Sequence, residues 1–224
     1  VHVNSYNDYT LDIHQFMTEV VKPHIGNLPC IMFAHSMGGA IGALYLEQYP
    51  GVFDAAILSS PMFEIRTGGT SKLLVKLLLA KIKLLRQEKQ PFPGGNTWDG
   101  IPNYDKSSAM SESRYMYIFN QRLTDSHYHT NRMSNGWGYA SFRTTPKILK
   151  NAHKINIPIL LLTSGNDALV DSKGHYKFAY STPNTEFVIY EDAKHELYNG
   201  TEEILEDYYR RIFGFLGKVG GQNL

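Results

Sequence analysis

Residues 31–50, IMFAHSMGGAIGALYLEQYP, decide the fold of this chain. The stretch opens with a short apolar run that follows a proline, which is typical of a buried strand. The small and apolar residues that follow are typical of a helix. Ser36 lies at the joint. It is either a nucleophile in a sharp strand-to-helix turn or a serine that caps the helix.

The residues around Ser36 favour the nucleophile. In such a turn, the residues two before and two after the nucleophile must be small because the backbone is pinched. Ala34 and Gly38 occupy these positions, so the segment reads A-H-S-M-G where the usual form is G-x-S-x-G. Gly38 and Gly39 let the helix begin close to the strand, and its N-terminal amides can stabilise negative charge.

Strand and helix patterns alternate on both sides of this segment. Further strands are predicted in FDAAILSSP (53–61), IPILLLTSGND (157–167) and TEFVIYEDAKHE (185–196), with helices near 172–181 and 201–216. Apolar strands joined by helices predict an α/β fold, in which a mostly parallel sheet is flanked by helices. Residues 62–152 have no clear strand pattern. We interpret them as an inserted helical cap between the core segments 1–61 and 153–224.

A further helix is predicted near residues 8–21, with Asp8 as its cap. Its apolar residues keep roughly one face, which we expect to lie on the sheet: Leu11, Phe16, Met17, Val20 and Val21.

Composition excludes several classes of protein. A chain of 224 residues is long enough for one large core. It has 22 basic and 21 acidic residues, so nothing in the overall charge points to nucleic acid as a partner. Cys30 is the only cysteine, which precludes an intramolecular disulfide and suits a reducing compartment. With no apolar stretch of roughly 18 residues and no signal-peptide pattern, we expect a cytoplasmic protein.

The partners that a nucleophilic serine needs follow later strands. Its hydroxyl requires a base, and the base requires an acid that orients it. In sheet enzymes of this kind the order is Ser, then Asp or Glu, then His, each just past a strand. Asp167 follows the third predicted strand and His195 follows the fourth. Asp171 is a second candidate for the acid, ranked lower because it lies further along, near the next helix.

Three segments carry a family resemblance: AHSMGGAIGALYLEQYPGVFDAAILSSPMF (34–63), LLLTSGNDALVDSKGHY (160–176) and YEDAKHELYNG (190–200). They resemble the α/β-hydrolase superfamily, and within it the group of lysophospholipase L2, monoacylglycerol lipases and related serine aminopeptidases. The resemblance implies that Ser36 is the nucleophile, Asp167 the acid and His195 the base, with the backbone N–H of Met37 as one oxyanion-hole donor.

The resemblance also implies a substrate class. It suggests a serine carboxylester hydrolase that releases a fatty acid from a lysophospholipid or monoacylglycerol through an acyl-enzyme, without a cofactor or metal. Two alternatives stay open: a serine aminopeptidase of the same fold, and a non-catalytic lipid-binding remnant.

The front of the chain departs from the group's pattern. Members carry several strands and a His-Gly turn before the region that corresponds to Val1, and that turn supplies the second oxyanion donor. No such turn is visible in this sequence. We therefore expect the chain to be the C-terminal two-thirds of a longer hydrolase that lacks the N-terminal strands. The loss of one oxyanion donor typically slows catalysis by roughly a hundredfold to a thousandfold.

The insert has a basic amphipathic stretch at residues 72–89. Its cations outnumber the single acid Glu88: Lys72, Lys76, Lys81, Lys83, Arg86 and Lys89. Such a helix can lie on an anionic membrane, here by peripheral contact with the inner membrane. The favoured alternative is that its leucines pack on the catalytic sheet. The two roles are compatible.

Two other insert features have weaker interpretations. His127 and His129 would need a third ligand to bind a metal, and we expect no metal site. The aromatic stretch NGWGYASF (135–142) is expected to pack the cap or line an acyl pocket.

Overall fold

The computed structural model describes residues 1–92, 98–129 and 132–221, except for the side chain of Lys72. The described residues form a four-stranded parallel sheet in the order β1-β2-β3-β4. The strands are β1 (Ile31–His35), β2 (Ala55–Ser59), β3 (Ile159–Ser164) and β4 (Thr185–Tyr190). Every residue of β2 and β3 is buried, as expected for central strands with both faces covered. The predicted α/β fold is confirmed.

Helices connect and cover the strands. They are α1 (Tyr6–Phe16), α2 (Lys22–Ile25), α3 (Met37–Gln48), α4 (Lys72–Leu84), α5 (Glu112–Thr124), α6 (Asn135–Asn151), α7 (Ser172–Ser181) and α8 (Glu202–Gly221). A π-helical turn, Met17–Val21, joins α1 to α2. None of the described helices is long and apolar enough to span a membrane.

Alternate residues of the central strands enter two cores on opposite faces of the sheet. Leu58 and Leu161 pack with residues of α1, α3, α6 and α7 on one face. Ile57 and Leu160 pack on the other face with one side of α8, including Tyr208 and Phe215. This alternation follows from the twofold period of a strand. Because all four strands are parallel, their carboxyl ends and the loops that follow them lie along one edge of this sheet.

The first helix differs from its prediction. Ser5 is its N-cap, and its hydroxyl accepts from the backbone amide of Asn7, while the Ser5 amide donates to the Asp8 carboxylate in a capping box. Tyr6, Thr10 and Met17 are the buried residues of this region. The predicted apolar face is largely in solvent: Leu11, Phe16 and Val20 are exposed. The helix packs mainly on α3 and α6 instead of the sheet.

Residues 62–152 contain α4, α5 and α6, and their described part contributes no strand to the sheet. Of these helices, α6 reaches the main core, where Ala140 and Ile148 are buried. A separate small apolar cluster joins α4 to α6. We propose that residues 62–152 form a lobe that rests on the core segments 1–61 and 153–224 through α6 and through residues 108–114, which hydrogen-bond to residues 196–200.

The packing of α4 also differs from the favoured prediction. Val75, Leu79 and Ile82 are buried, but against Phe92 and aromatic residues of α6 rather than against the sheet. Most leucines of this region face solvent: Leu73, Leu74, Leu77, Leu78, Leu84 and Leu85. The helix therefore has two apolar sides, and the described residues cover only one of them.

Candidate active site

Ser36 sits in a sharp turn between β1 and α3. Its backbone has φ +53° and ψ −120°, a left-handed conformation that is unfavourable for a residue with a side chain. Two hydrogen bonds hold this turn: the Ser36 amide donates to the Ser59 carbonyl at 3.0 Å, and the Met62 amide donates to the Ser36 carbonyl at 2.8 Å. The end of β2 and the loop after it therefore fix the turn from both sides.

The Ser36 side chain does not cap α3. Ser36 occupies the N-cap position, yet its hydroxyl makes no capping hydrogen bond. Its Oγ lies 2.8 Å from Nε2 of His195, which is 159 positions away in sequence. The structure therefore does not show the alternative in which the Ser36 side chain caps the helix.

Close packing around the turn involves Gly39, as expected, but Gly42 in place of Gly38. A Cβ added to Gly38 would meet nothing within 4 Å. A Cβ on Gly39 would lie 2.6 Å from the Cβ of Pro61, and one on Gly42 would lie 2.6 Å from Sδ of Met32. The approach of α3 to the loop after β2 thus requires glycine at 39 and not at 38, whereas a side chain at 42 would require the flexible Met32 side chain to shift.

The loops after β3 and β4 bring Asp167 and His195 to Ser36. The Nδ1 of His195 lies 2.6 Å from Oδ2 of Asp167. Because an ionised carboxylate only accepts, Nδ1 carries the hydrogen, and neutral His195 accepts from the Ser36 hydroxyl at Nε2. Asp167 and His195 are both buried. The three predicted residues therefore form one hydrogen-bonded chain.

The Asp167 carboxylate is held by more than the histidine. Its Oδ2 also accepts from Oγ of Ser164 at 2.5 Å, and its Oδ1 accepts from the amides of Leu169 and Val170 at 2.8 and 3.0 Å. Burial by itself would raise the pKa of this carboxyl. The hydrogen bonds from His195, Ser164 and Val170 outweigh burial and lower the pKa to about 2. Asp167 is therefore a stable anion beside the imidazole.

Ser164 is itself part of a longer polar line. Its Oγ lies 3.1 Å from Oγ of Ser60, and both serines are buried. Ser60, like Ser36, has a positive φ, of 43°. The hydrogen-bonded side chains therefore continue from the carboxyl end of β3 to the carboxyl end of β2.

Asp171, the second candidate for the acid, has a different role. It is the N-cap of α7, and its carboxylate accepts from the backbone amide of Lys173 at 3.0 Å. Among the described contacts, none joins it to His195. The position near a helix start, which ranked it lower in the sequence, accounts for its capping role.

His35 was missed by the sequence reasoning. Its ring centroid lies 4.8 Å from that of His195 and 5.1 Å from that of Tyr198. Burial, with the nearby His195, lowers the pKa of His35 to about 4, so this imidazole is neutral beside His195. The signal lay in the motif itself, because His35 is the variable residue immediately before Ser36 in A-H-S-M-G.

Met37 starts α3, so its backbone N–H has no partner inside the helix. This amide is therefore available to an oxyanion next to Ser36. The Met37 side chain is contacted from the lobe, where the indole Nε1–H of Trp137 donates to Sδ at 3.0 Å. The predicted packing role of the aromatic stretch thus includes a direct contact with the residue after Ser36.

The two lobe histidines are apart from this site. His127 pairs with Asp125 through Nδ1 at 2.7 Å, and His129 bonds the Arg122 carbonyl and stacks on Trp98. Within residues 1–92, 98–129 and 132–221, no three His, Cys, Asp or Glu residues are grouped to hold a metal ion.

Comparison with known proteins identifies the family. The family model described as "Serine aminopeptidase, S33" matches residues 1–202. The chain belongs to this family. It is 30% identical over 177 residues to lysophospholipase L2 of Escherichia coli K12, a match that covers 79% of this chain and 52% of that protein. It is 27% identical over 218 residues to human monoglyceride lipase, covering 94% of this chain and 65% of that protein.

This S33-family chain thus spans about half the length of one curated relative and about two-thirds of another. Among solved structures, it resembles the monoacylglycerol lipase of Paleococcus ferrophilus with a TM-score of 0.71 and 19% identity. That match covers 97% of this chain and 77% of the other. At this identity the structural likeness supports the fold alone. The predicted α/β-hydrolase fold and hydrolase family are confirmed.

Proposed function

We propose that the chain carries the catalytic centre of a serine carboxylester hydrolase, with Ser36 as nucleophile, His195 as general base and Asp167 as its orienting acid. One observation carries the proposal: hydrogen bonds of 2.8 and 2.6 Å connect the three side chains in the order that triad chemistry needs. The left-handed backbone at Ser36 and the absence of its capping bond support the same role.

The reaction proceeds in two stages. As Ser36 Oγ attacks the ester carbonyl carbon, its proton moves to Nε2 of His195, and the carbonyl oxygen becomes an oxyanion beside the Met37 amide. The C–O bond to the alcohol then breaks, and His195 gives its proton to that alcohol. Water, losing a proton to His195, attacks the acyl-enzyme. The fatty acid leaves and the proton returns to Ser36. Asp167 stays ionised throughout and stabilises the imidazolium.

The proposed substrate is a lysophospholipid or a monoacylglycerol. The support comes from the names of relatives, which are lysophospholipases L2 and monoglyceride lipases. A structural neighbour from Saccharomyces cerevisiae, a monoglyceride lipase, was solved in complex with a substrate analog.

An aminopeptidase is the second candidate, favoured by the description of the family itself. A peptidase of this type needs acceptors for the free amine near the nucleophile. The chain has an acidic cleft lined by Glu191, Asp192, Glu203, Glu206 and Asp207. Among its described lining residues, however, are none of Ser36, Met37 or His195. The cleft therefore adds no support for cleavage of peptides at Ser36.

We also propose that the outer face of α4 lies on an anionic membrane, from which the substrate comes. Leu73, Leu77 and Leu84 are exposed to 68%, 59% and 82%. Lys81 lies among them on the same side of the helix, and Lys76 and Lys83 flank this surface. Exposed leucines that can enter the acyl boundary, next to lysines that can pair with phosphate, are complementary to a bilayer with anionic lipids.

The test of the catalytic assignment uses the full chain and a fluorophosphonate probe, with mass spectrometry to locate the label. We expect the label on Ser36 and none on Ser36→Ala. Hydrolysis is then measured on p-nitrophenyl butyrate, 1-monooleoylglycerol, lysophosphatidylcholine and an aminoacyl p-nitroanilide. We expect ester cleavage that Ser36→Ala abolishes. Full esterase activity in Ser36→Ala would refute the nucleophile, and preference for the anilide would favour the peptidase.

A further inference from the structure

A cavity of about 670 Å³ lies between α4, α6 and the loop after β2. This volume falls within the usual range of small-molecule sites, roughly 300–1,000 Å³. Its lining includes Val75 and Leu79 from α4, with Phe142, Pro146 and Leu149 from α6. Walls of this kind suit an alkyl chain.

The charged groups of the cavity are mostly cationic. Four of the described lining residues are basic, namely Lys76, Lys83, Arg143 and Lys177, against the single acid Glu64. Two of the cations are already paired: Lys177 with Glu64 and Lys83 with Glu88, each at 2.8 Å. Within the described part of the chain, Lys76 and Arg143 have no carboxylate partner. The lining therefore carries positive charge that no carboxylate of the described residues neutralises.

Two of these cations are crowded around one ring. The Arg143 guanidinium lies 5.4 Å from the centroid of Tyr139 and donates to its hydroxyl at 2.8 Å. The ammonium of Lys83 lies 5.9 Å from the same centroid. Lys76 lines the same cavity as Arg143, so an anion bound there would be attracted by both cations.

The cavity is separate from the catalytic chain of residues. Its described lining includes none of Ser36, Met37, Asp167 or His195. Helix α6 connects the two places, since Trp137 contacts Met37 while Tyr139 and Phe142 line the cavity.

We propose that this cavity is a binding site for a free long-chain fatty acid, with the chain against the apolar walls and the carboxylate on Lys76 and Arg143. The proposal rests on the proposed function only in that such an acid would be its product. Binding itself needs no turnover. A fatty acid bound here would lie against α6, the helix whose Trp137 contacts Met37.

The first experiment measures binding of cis-parinaric acid, a fluorescent fatty acid, to the full chain, with the matching fatty alcohol as an uncharged ligand. We expect the acid to bind roughly twofold to thirtyfold more tightly than the alcohol, since two exposed ion pairs each make a modest contribution. Lys76→Gln/Arg143→Gln should remove this preference and keep alcohol binding. The control Lys147→Gln/Lys150→Gln makes the same change of charge on exposed residues of α6 outside the lining. Equal loss in both double variants would overturn the proposal.

The second experiment locates the ligand. Ala80 lines the cavity and is exposed, so Ala80→Trp can fill the space without disturbing the core. We expect it to weaken binding of acid and alcohol together, by at least tenfold, and to leave p-nitrophenyl butyrate hydrolysis unchanged. Undiminished binding in Ala80→Trp would show that the acid binds elsewhere.

The third experiment separates the cavity from the reacting acyl group. A long-chain alkyl phosphonate is attached to Ser36, and parinarate binding is measured again. We expect binding to persist, whereas its loss would show that the cavity is the acyl subsite of the reaction and overturn a second site. If the phosphonate fails to label Ser36, the proposed function fails, while binding to the unlabelled protein still decides the fatty-acid proposal.

Discussion

At the carboxyl ends of β3 and β4, polar side chains are buried and bonded to one another, whereas on the outer face of α4 leucines lie in solvent. Asp167 is within reach of four donors, and His195 has a partner on each ring nitrogen. Leu73 and Leu77 contact water over more than half their surface. A buried polar group is costly unless it has a hydrogen-bond partner. The first region therefore holds its side chains in one arrangement. The leucines of the second region are exposed, so substitutions there should change the stability of the fold little.

The largest expected effect is a loss of catalytic activity when the hydrogen-bonded region is altered. Asp167→Asn removes the charge that stabilises the imidazolium and favours the wrong tautomer of His195. We expect kcat for p-nitrophenyl butyrate to fall by roughly ten-thousandfold. Asp171→Asn is the matched control, since asparagine caps a helix as well as aspartate does and activity should be retained. A similar loss in both variants would contradict the assignment of the acid.

Ser164→Ala would remove one neutral donor from the Asp167 carboxylate. A hydrogen bond to a charged group contributes about 1.5–3 kcal/mol, and we expect a loss of that size in urea unfolding at pH 7. The pKa of Asp167 is lowered in the folded state, to about 2, so its stabilisation is present above its ordinary pKa and is lost as pH falls toward 2. In Ser164→Ala the folded pKa lies higher, so the difference from the parent protein should shrink on acidification. A difference that is constant with pH would contradict this role.

A third prediction compares neighbouring glycines of α3. Gly39→Ala places a methyl group 2.6 Å from the Cβ of Pro61, and we expect it to lower the free energy of unfolding. The expected cost is about 1–3 kcal/mol, as for other overpacked sites. Gly38→Ala meets open space and should leave stability unchanged or raise it by up to about 1 kcal/mol. Urea unfolding measures both variants, and equal values would show that the close approach at Gly39 is unimportant.

The smallest expected change in stability is on α4. Leu73→Ser/Leu77→Ser should alter the free energy of unfolding by no more than about 0.5 kcal/mol per site, because both side chains are exposed. The same variant should bind less to vesicles that contain phosphatidylglycerol, as measured by sedimentation. Unchanged vesicle binding, in a variant that folds normally, would remove the support for the membrane contact.

The sequence predicts the sheet well because apolar strands and small-residue helices leave strong local patterns. All four strands lie within the predicted segments, and Asp167 and His195 lie just past the strands that were expected to position them. The structure brings these residues to Ser36, and their catalytic role remains a prediction.

Other features could not be read from local patterns. The apolar residues near 8–21 share a face, but a pattern does not say what covers that face, and the π-helical turn at Met17–Val21 changes the helical period within it. The contact of His35 with His195 joins positions 160 apart, which no short motif encodes. The need for glycine at 39, and not at 38, depends on where Pro61 lies after folding.

The hydroxyls of Ser60 and Ser164 can donate in one direction only, toward Asp167. Because the carboxylate can only accept, Ser164 must donate to it, and the Ser164 oxygen must then accept from Ser60. The two hydroxyl dipoles consequently point the same way, with their positive ends toward Asp167, and each polarises the next. Two neutral serines thus create a small electrostatic field at the Asp167 carboxylate, and this field is present before any substrate binds.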